Sequence, residues 1–192
     1  ADGGNGKLYI GHVHHGFSIL SIKDKKVRNF VHDPNNRNSL PGNEVRCVYK
    51  DMNHNIWVGT NKGLALFNPE SENFIQFNSD GNLSHYIYDI RQLDGNKLWI
   101  AMEFGGIAIM DLSQRLFLLP EQTQFHYIRE GDDGYSLSNS SARCIFQDSF
   151  KNIWTGVWGG GINFLSYEPP LFSGYYYSPN QNSMSRLNNK TA

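Results

Sequence analysis

The stretch "SLPGNEVRCVYKDMNHNIW", residues 39–57, returns as "SLSNSSARCIFQDSFKNIW", residues 136–154, and the two align without a gap. A third version, "NLSHYIYDIRQLDGNKLW" (82–99), is one residue shorter in its turn. Leu40, Leu83 and Leu137 coincide in this alignment, as do Asp51, Asp94 and Asp148. The phrase that follows recurs four times: "KLYIGHVHHGFSIL" (7–20), "NIWVGTNKGLALF" (55–67), "KLWIAMEFGGIAIM" (97–110) and "NIWTGVWGGGINFL" (152–165). Each copy has an anchor aromatic (Tyr9, Trp57, Trp99, Trp154), then a small residue two places on (Gly11, Gly59, Ala101, Gly156). A second glycine follows (Gly16, Gly63, Gly106, Gly161), and an apolar strand begins at Phe17, Leu64, Ile107 or Ile162. The anchors are spaced 48, 42 and 55 residues apart. A repeat of about 40–45 residues holding four strands is the period of a β-propeller blade.

Each unit reads as four antiparallel strands, a to d. Strand a is "VRCVYKD", "YDIRQLD" or "ARCIFQD"; strand b is "NIWVGT"; strand c is "GLALF" or "GINFL"; strand d is "ENFIQF" or "KVRNFV". The fold class is therefore all-β, a propeller of four-stranded antiparallel blades. The units fall at roughly 1–39, 40–82, 83–136 and 137–182, with 183–192, "SMSRLNNKTA", starting a further blade. The chain opens just before a strand b. Four units are an incomplete set, so the whole chain, 1–192, is expected to be one segment of a larger propeller. The third unit's long tail, "LSQRLFLLPEQTQFHYIREGDDGYSL", reads as an outer-edge or loop insertion.

Repetition assigns structural roles. A large ring at a fixed position fills the space between blades, which makes Tyr9, Trp57, Trp99 and Trp154 core residues. The first glycine (Gly11, Gly59, Gly156) lets a bulky neighbour approach the backbone, and the second supplies a positive φ in the b–c turn. The run "GGG" (159–161) lies between two strands with no following GK[ST], unlike a phosphate loop. Cys47 and Cys144 hold equivalent places in different blades, as small packed thiols and not as a disulfide.

Bulk composition narrows the function. The net charge of −1, with 18% charged residues, lacks the basic excess of a nucleic-acid surface. No run approaches eighteen apolar residues, so no stretch reads as a membrane span. The opening "ADGGNGKLYI" has neither the basic start nor the apolar core of an export signal. No cofactor motif, phospho-acceptor motif or ATP-binding motif is present.

The copies at 39–77 and 136–172 resemble the two-component-regulator propeller repeat, whose pattern runs N-x-V-x-x-I/V-x-x-D, then L/I-W-I/V-G-T-x-x-G-L-x-x-F/Y. Ala101-Met102 replaces Gly-Thr in the third unit, and Thr155 and Val157 flank the glycine of the fourth. The resemblance implies the periplasmic sensor region of a Bacteroides-type hybrid two-component histidine kinase. Such regions sit ahead of an immunoglobulin-like domain, a membrane helix and the kinase. It also implies response to oligosaccharides and control of glycan-utilisation genes. The partners this implies are an oligosaccharide, the rest of the propeller, the downstream sensor domains and a second copy of the chain.

Meander topology puts b–c and d–a turns at one end of the blades and a–b and c–d turns at the other. The a–b turns are alike ("DMNHN", "DGN", "DSFKN"), whereas the b–c turns differ ("HVHHG", "TNKG", "MEFGG", "VWGGG"). Variation inside a repeated frame marks the b–c end for recognition. Its candidate ligand contacts are His12, His14, His15, Asn61, Lys62, Glu103, Phe104 and Trp158. Aromatic faces suit C–H-rich sugar rings, and polar groups suit hydroxyls. His12 and His14 lack a third metal ligand, and "EGDD" (130–133) lacks the calcium-loop pattern, so no metal is expected. "YYY" (175–177) reads as a strand or an edge-covering segment. Catalysis would need a second carboxylate near Glu103, and none is evident. An interaction scaffold and a propeller lyase or hydrolase are the alternatives to a sensor.

Overall fold

The computed structural model describes residues 1–167 apart from Asn5, 78–82, Ser84, Asp94, 114–118 and 133–135. Within them the chain forms four antiparallel sheets in sequence order. The first holds β1 (Asp2–Gly4), β2 (Lys7–His12), β3 (Gly16–Ser21) and β4 (Lys26–Phe30). The second holds β5 (Val45–Lys50), β6 (Ile56–Thr60), β7 (Gly63–Asn68) and β8 (Asn73–Phe77). The third holds β9 (Ile87–Leu93), β10 (Lys97–Met102), β11 (Gly106–Asp111) and β12 (Phe125–Ile128). The fourth holds β13 (Ala142–Gln147), β14 (Ile153–Val157) and β15 (Gly161–Leu165). Each strand pairs with its sequence neighbour, so every sheet is a meander and its first strand lies at one edge. These are the a–d strands of the repeat, and the architecture is that of propeller blades. No helix among the described residues is long and apolar enough to cross a membrane.

The chain does not open on a strand b, as the sequence suggested. Asp2–Gly4 pairs with β2 as a short strand a, and the Tyr9 amide donates to Ala1 O at 2.9 Å. Its glycines carry no apolar alternation, so the pairing rests on backbone alone. In the third unit the long tail contains the strand d, β12, preceded by a single 3-10 turn at Pro120–Gln122.

Alternate residues of a strand face opposite sides, and both sides of an inner blade are covered. Ile56, Val58, Ala65, Phe67 and Phe74 of the second sheet pack on Tyr9, Phe17 and Ile19 of the first. Trp57, Leu64, Leu66 and Phe77 face the other way, against Ile87, Ile90, Leu98, Ile100 and Met102 of the third. Trp99, Ala101 and Ile107 meet Ala142, Ile145, Ile153 and Val157 of the fourth. Leu40, Leu83 and Leu137 each plug one of these three interfaces from the connecting loop.

Close approach is possible because strand b is small where strand a of the next blade arrives. A Cβ on Gly11 would sit 2.6 Å from Val45 Cγ1, and one on Gly59 would sit 2.6 Å from Ile87 Cγ2. The third interface solves the same problem differently: Ala101 and Ala142, both fully buried, replace the glycine and the β-branched residue. The departure of the third unit from its pattern is thus a matched exchange of volume across the interface.

The a–b turns are built by one carboxylate. Asp51 Oδ1 accepts the Asn53 and Asn55 amides at 2.9 and 2.8 Å, while Oδ2 accepts Asn55 Nδ2 at 2.8 Å and Trp57 Nε1 at 2.9 Å. Asp148 repeats the arrangement with Phe150, Asn152 and Trp154, again 2.9 Å from the indole nitrogen. His54 and Lys151 take the left-handed conformation at φ 66° in the same place. Trp99 Nε1 is buried without a partner among the described residues, and Asp94, the matching aspartate, lies outside them.

Two sequence assignments need correction in the fourth blade. Trp154 is 39% exposed, unlike the buried Trp57 and Trp99, because no described residue covers that face. Cys144 is likewise exposed, whereas Cys47 sends its thiol to Ile87 O at 3.8 Å. Burial, assisted by the Asp89 carboxylate, pushes the Cys47 thiol far above its ordinary range. Both cysteines are free thiols.

The Trp154 indole N–H, followed by the Asn152 and Phe150 donors, holds the Asp148 carboxyl below the usual carboxylate range. A depressed native pKa adds stability above the unfolded value and loses it as pH falls through the native value. Acidification below about pH 4 is therefore expected to loosen the fourth a–b turn, read as a change in Trp154 fluorescence. Asp148→Asn should abolish that pH dependence; an unchanged acid transition in the variant would contradict the role of the carboxylate.

Candidate ligand-binding face

The second residue of each inner strand a is large and polar: Arg46 in β5, Tyr88 in β9 and Arg143 in β13. It follows the residue that packs on the neighbouring strand b (Val45, Ile87, Ala142), so close blade packing brings these side chains together. Arg46 Cζ lies 5.5 Å from the Tyr88 ring centroid, and Arg143 Cζ lies 3.8 Å from it. Arg46 also stands 5.6 Å from the ring of Tyr86, which stacks on Tyr88 at 6.4 Å. Arg143 reaches Trp158 at 5.3 Å. Cation–π contacts contribute about 0.5–1 kcal/mol at exposed sites and about 2 when desolvated.

Carboxylates close both ends of this network. Glu103 Oε1 pairs with Arg143 Nη2 at 2.5 Å, with both side chains largely covered. Glu44 Oε2 lies 3.4 Å from Arg46 Nη2, while its Oε1 accepts Tyr86 Oη at 3.4 Å and Asn61 Nδ2 at 3.5 Å. The last three contacts are long, so the Glu44 end is held more loosely than the Arg143–Glu103 end. Arg143 Nε is buried without a partner among the described residues. Asp89 links the third and fourth blades beneath, its Oδ2 accepting the Ile145 amide at 3.0 Å.

The turns above are shaped to present aromatics. Phe104 is 73% exposed and Trp158 is 70% exposed. Phe104 holds φ 58°, a conformation disfavoured for a bulky residue. At the corresponding position of the fourth blade stands Gly159, at φ 70°. Strain of this kind clusters where function requires a side chain to be displayed. The Ser141 hydroxyl accepts the Phe104 amide at 3.3 Å and ties the turn to the next blade.

Of the residues singled out from sequence, Asn61, Glu103 and Trp158 enter this network, and Phe104 shares the Glu103 turn. His12 instead bonds Ser18 Oγ at 2.9 Å, and Ser18 donates to Asn29 at 2.8 Å. His14, His15 and Lys62 are exposed and are not brought to it by any described contact. No group of three metal-ligating side chains occurs among the described residues. Residues 175–177 and 183–192 lie outside them. Arg46, Tyr88 and Arg143 lie on strand a, and Glu44 and Tyr86 just before it, outside the variable b–c turns that mark the recognition end in the sequence. Their signal was a large polar residue at one position of strand a in three copies, beside apolar neighbours.

The arrangement can stack a ring against Trp158 and Phe104 and offer amide, phenol and guanidinium groups to hydroxyls. Glu103 is committed to Arg143 and is poorly placed to serve as an acid or base.

Comparison with known proteins agrees with the blades and the repeat. Residues 39–62 match the family described as Two component regulator propeller. The extracellular domain of a Bacteroides thetaiotaomicron protein described as the hybrid two component system BT3049 is 58% identical over 88% of this chain, with a TM-score of 0.73. That of BT4673 is 19% identical over 84% of the chain, with a TM-score of 0.65, a likeness of fold alone. Histidine kinase P4 of Formosa agariphila is 30% identical over 86 residues, 41% of this chain. In fold and repeat the chain is similar to a segment of a two-component-regulator propeller. It spans 20% of the BT3049 domain, 22% of the BT4673 domain and 6% of the Formosa kinase.

Replacing Phe104 by glycine should relieve about 1–2 kcal/mol of left-handed strain. Glycine's greater unfolded-state freedom takes back about 0.5–1 kcal/mol. The expected Phe104→Gly result is a chain more stable by about 1 kcal/mol in urea denaturation; a loss of stability would mean that Phe104 supports the fold.

Proposed function

We propose that this chain belongs to the ligand-sensing, periplasmic region of a hybrid two-component signalling protein and that its b–c face recognises an oligosaccharide. Occupancy of that face would control a histidine kinase phosphorelay and the transcription of glycan-utilisation genes. The observation that carries this reading is the Arg46–Tyr88–Arg143–Trp158 network, which crosses three blades and ends on the exposed Trp158. The 58% identity with an extracellular sensor domain supports the setting. A sensor must bind its ligand better in one arrangement of its parts than in the other. A network spanning three blades is suited to that, since a ligand seated on it touches more than one rigid unit. The exposed Phe104 and Trp158 also suit a protein partner, the reading that a scaffold would require.

A calorimetric oligosaccharide panel on the full extracytoplasmic region separates these readings. Saturable binding without turnover is expected for at least one glycan, and Trp158→Ala should weaken it at least tenfold while melting stays unchanged. Trp57→Ala, emptying a fully buried indole site, should cost about 3–5 kcal/mol of stability. Turnover of the bound glycan would indicate an enzyme, and no glycan binding at all would favour the scaffold.

A further inference from the structure

The opposite end of the first two blades holds a second feature, independent of the b–c face. In the second and fourth blades an aspartate–tryptophan clamp fills the a–b turn. The first blade has Tyr9 at the anchor, and its a–b turn is built from glycines, with Gly4 and Gly6 at φ 74° and 71°. Where the clamp would stand, a cavity of about 500 Å³ opens between the blades, within the range of small-ligand sites. Its walls include Lys7, Tyr9 and the Gly3-Gly4 backbone from one blade and Lys50 and His54 from the next. Among the described residues, no carboxylate lines it. Lys50 Nζ points at the glycine wall, 3.6 Å from where a Cβ on Gly4 would sit. Neither lysine is ion-paired among the described residues. Asp51 directs its oxygens to its own turn and to Trp57, and Asp2 Oδ1 accepts the Gly4 amide at 2.8 Å; neither forms a salt bridge with Lys7 or Lys50.

We propose that this cavity is an anion site that takes a sulfate or carboxylate group. Lys7, Lys50 and His54 line one space with no carboxylate among its described walls, Lys50 Nζ lies against its glycine side, and the Gly3-Gly4 backbone there carries no side chain to obstruct an approaching oxyanion. Lysine acts there as a point charge, which fits an anion of no fixed orientation. The anion is either a free inorganic ion or a substituent of a saccharide, and both share the same recognition chemistry.

Calorimetric titration of the intact chain with sodium sulfate, glucuronate and glucose tests this. Sulfate or glucuronate should saturate while glucose gives no heat of binding. Each of Lys7→Gln and Lys50→Gln should weaken the interaction by about tenfold, the loss of one charge-assisted contact. Tighter sulfate would point to a free ion, and tighter glucuronate to a saccharide substituent. Trp158→Ala, at the other end of the blades, should leave this binding intact, which separates it from the b–c face. Absence of saturation by both anions, equal binding of glucose and glucuronate, or full binding in a folded Lys7→Gln/Lys50→Gln variant would overturn the assignment.

Discussion

Every described interface in this molecule depends on a shortage of space on strand b. Where strand a of the next blade arrives, the strand offers no side chain at Gly11 and Gly59 and only a methyl at Ala101. Val45 and Ile87 occupy the room the glycines leave, and Ala142 gives back the volume that Ala101 takes. The sheets can then interdigitate at the density of a protein interior, with the Tyr9, Trp57 and Trp99 rings each seated between two sheets. Backbone bonds follow the same approach: the Gly16 amide reaches Asn43 O at 2.8 Å and the Gly106 amide reaches Ser140 O at 2.7 Å, each across two blades.

That constraint also places the candidate site. Arg46, Tyr88 and Arg143 each come one residue after the packing position on strand a. The spacing that lets Val45 and Ile87 seat therefore sets how closely guanidinium and phenol groups approach. Packing and recognition share one strand and differ only in which side of the pleat they use. The b–c turns then add what the repeat leaves free to vary: a charge at Glu103, an indole at Trp158, and at Phe104 a ring held at the expense of backbone strain.

Much of this was legible in the sequence because a repeat carries its own controls. The four copies identified the strands, the anchor rings, the two glycine roles and the aspartate turns, and Gly16, Gly63, Gly106 and Gly161 all take positive φ. What was not legible had physical reasons. The short β1 is glycine-rich and pairs through backbone, leaving no apolar pattern. Trp154 and Cys144 share the sequence context of Trp57 and Cys47, but burial depends on what lies opposite, which a local motif does not encode. The arginine–tyrosine contacts arise between units, joining Arg46 to Tyr86 and Tyr88 and Tyr88 to Arg143, so no single copy of the repeat contains the network. His14 and His15 vary as much as Trp158 does, yet only Trp158 has an arginine from its own inner strand within reach.

A size-exchange cycle at the first interface tests the central constraint most directly. Gly11→Ala should destabilise the chain by driving a methyl into Val45, and Val45→Ala should destabilise it by leaving a void. The double variant recreates the Ala101–Ala142 pairing of the third interface. Urea denaturation should show it recovering at least about 1 kcal/mol of the summed single losses, the coupling expected of residues in direct contact. Strictly additive losses would mean that Gly11 and Val45 do not share one space, and the account of how the blades are held together would fail.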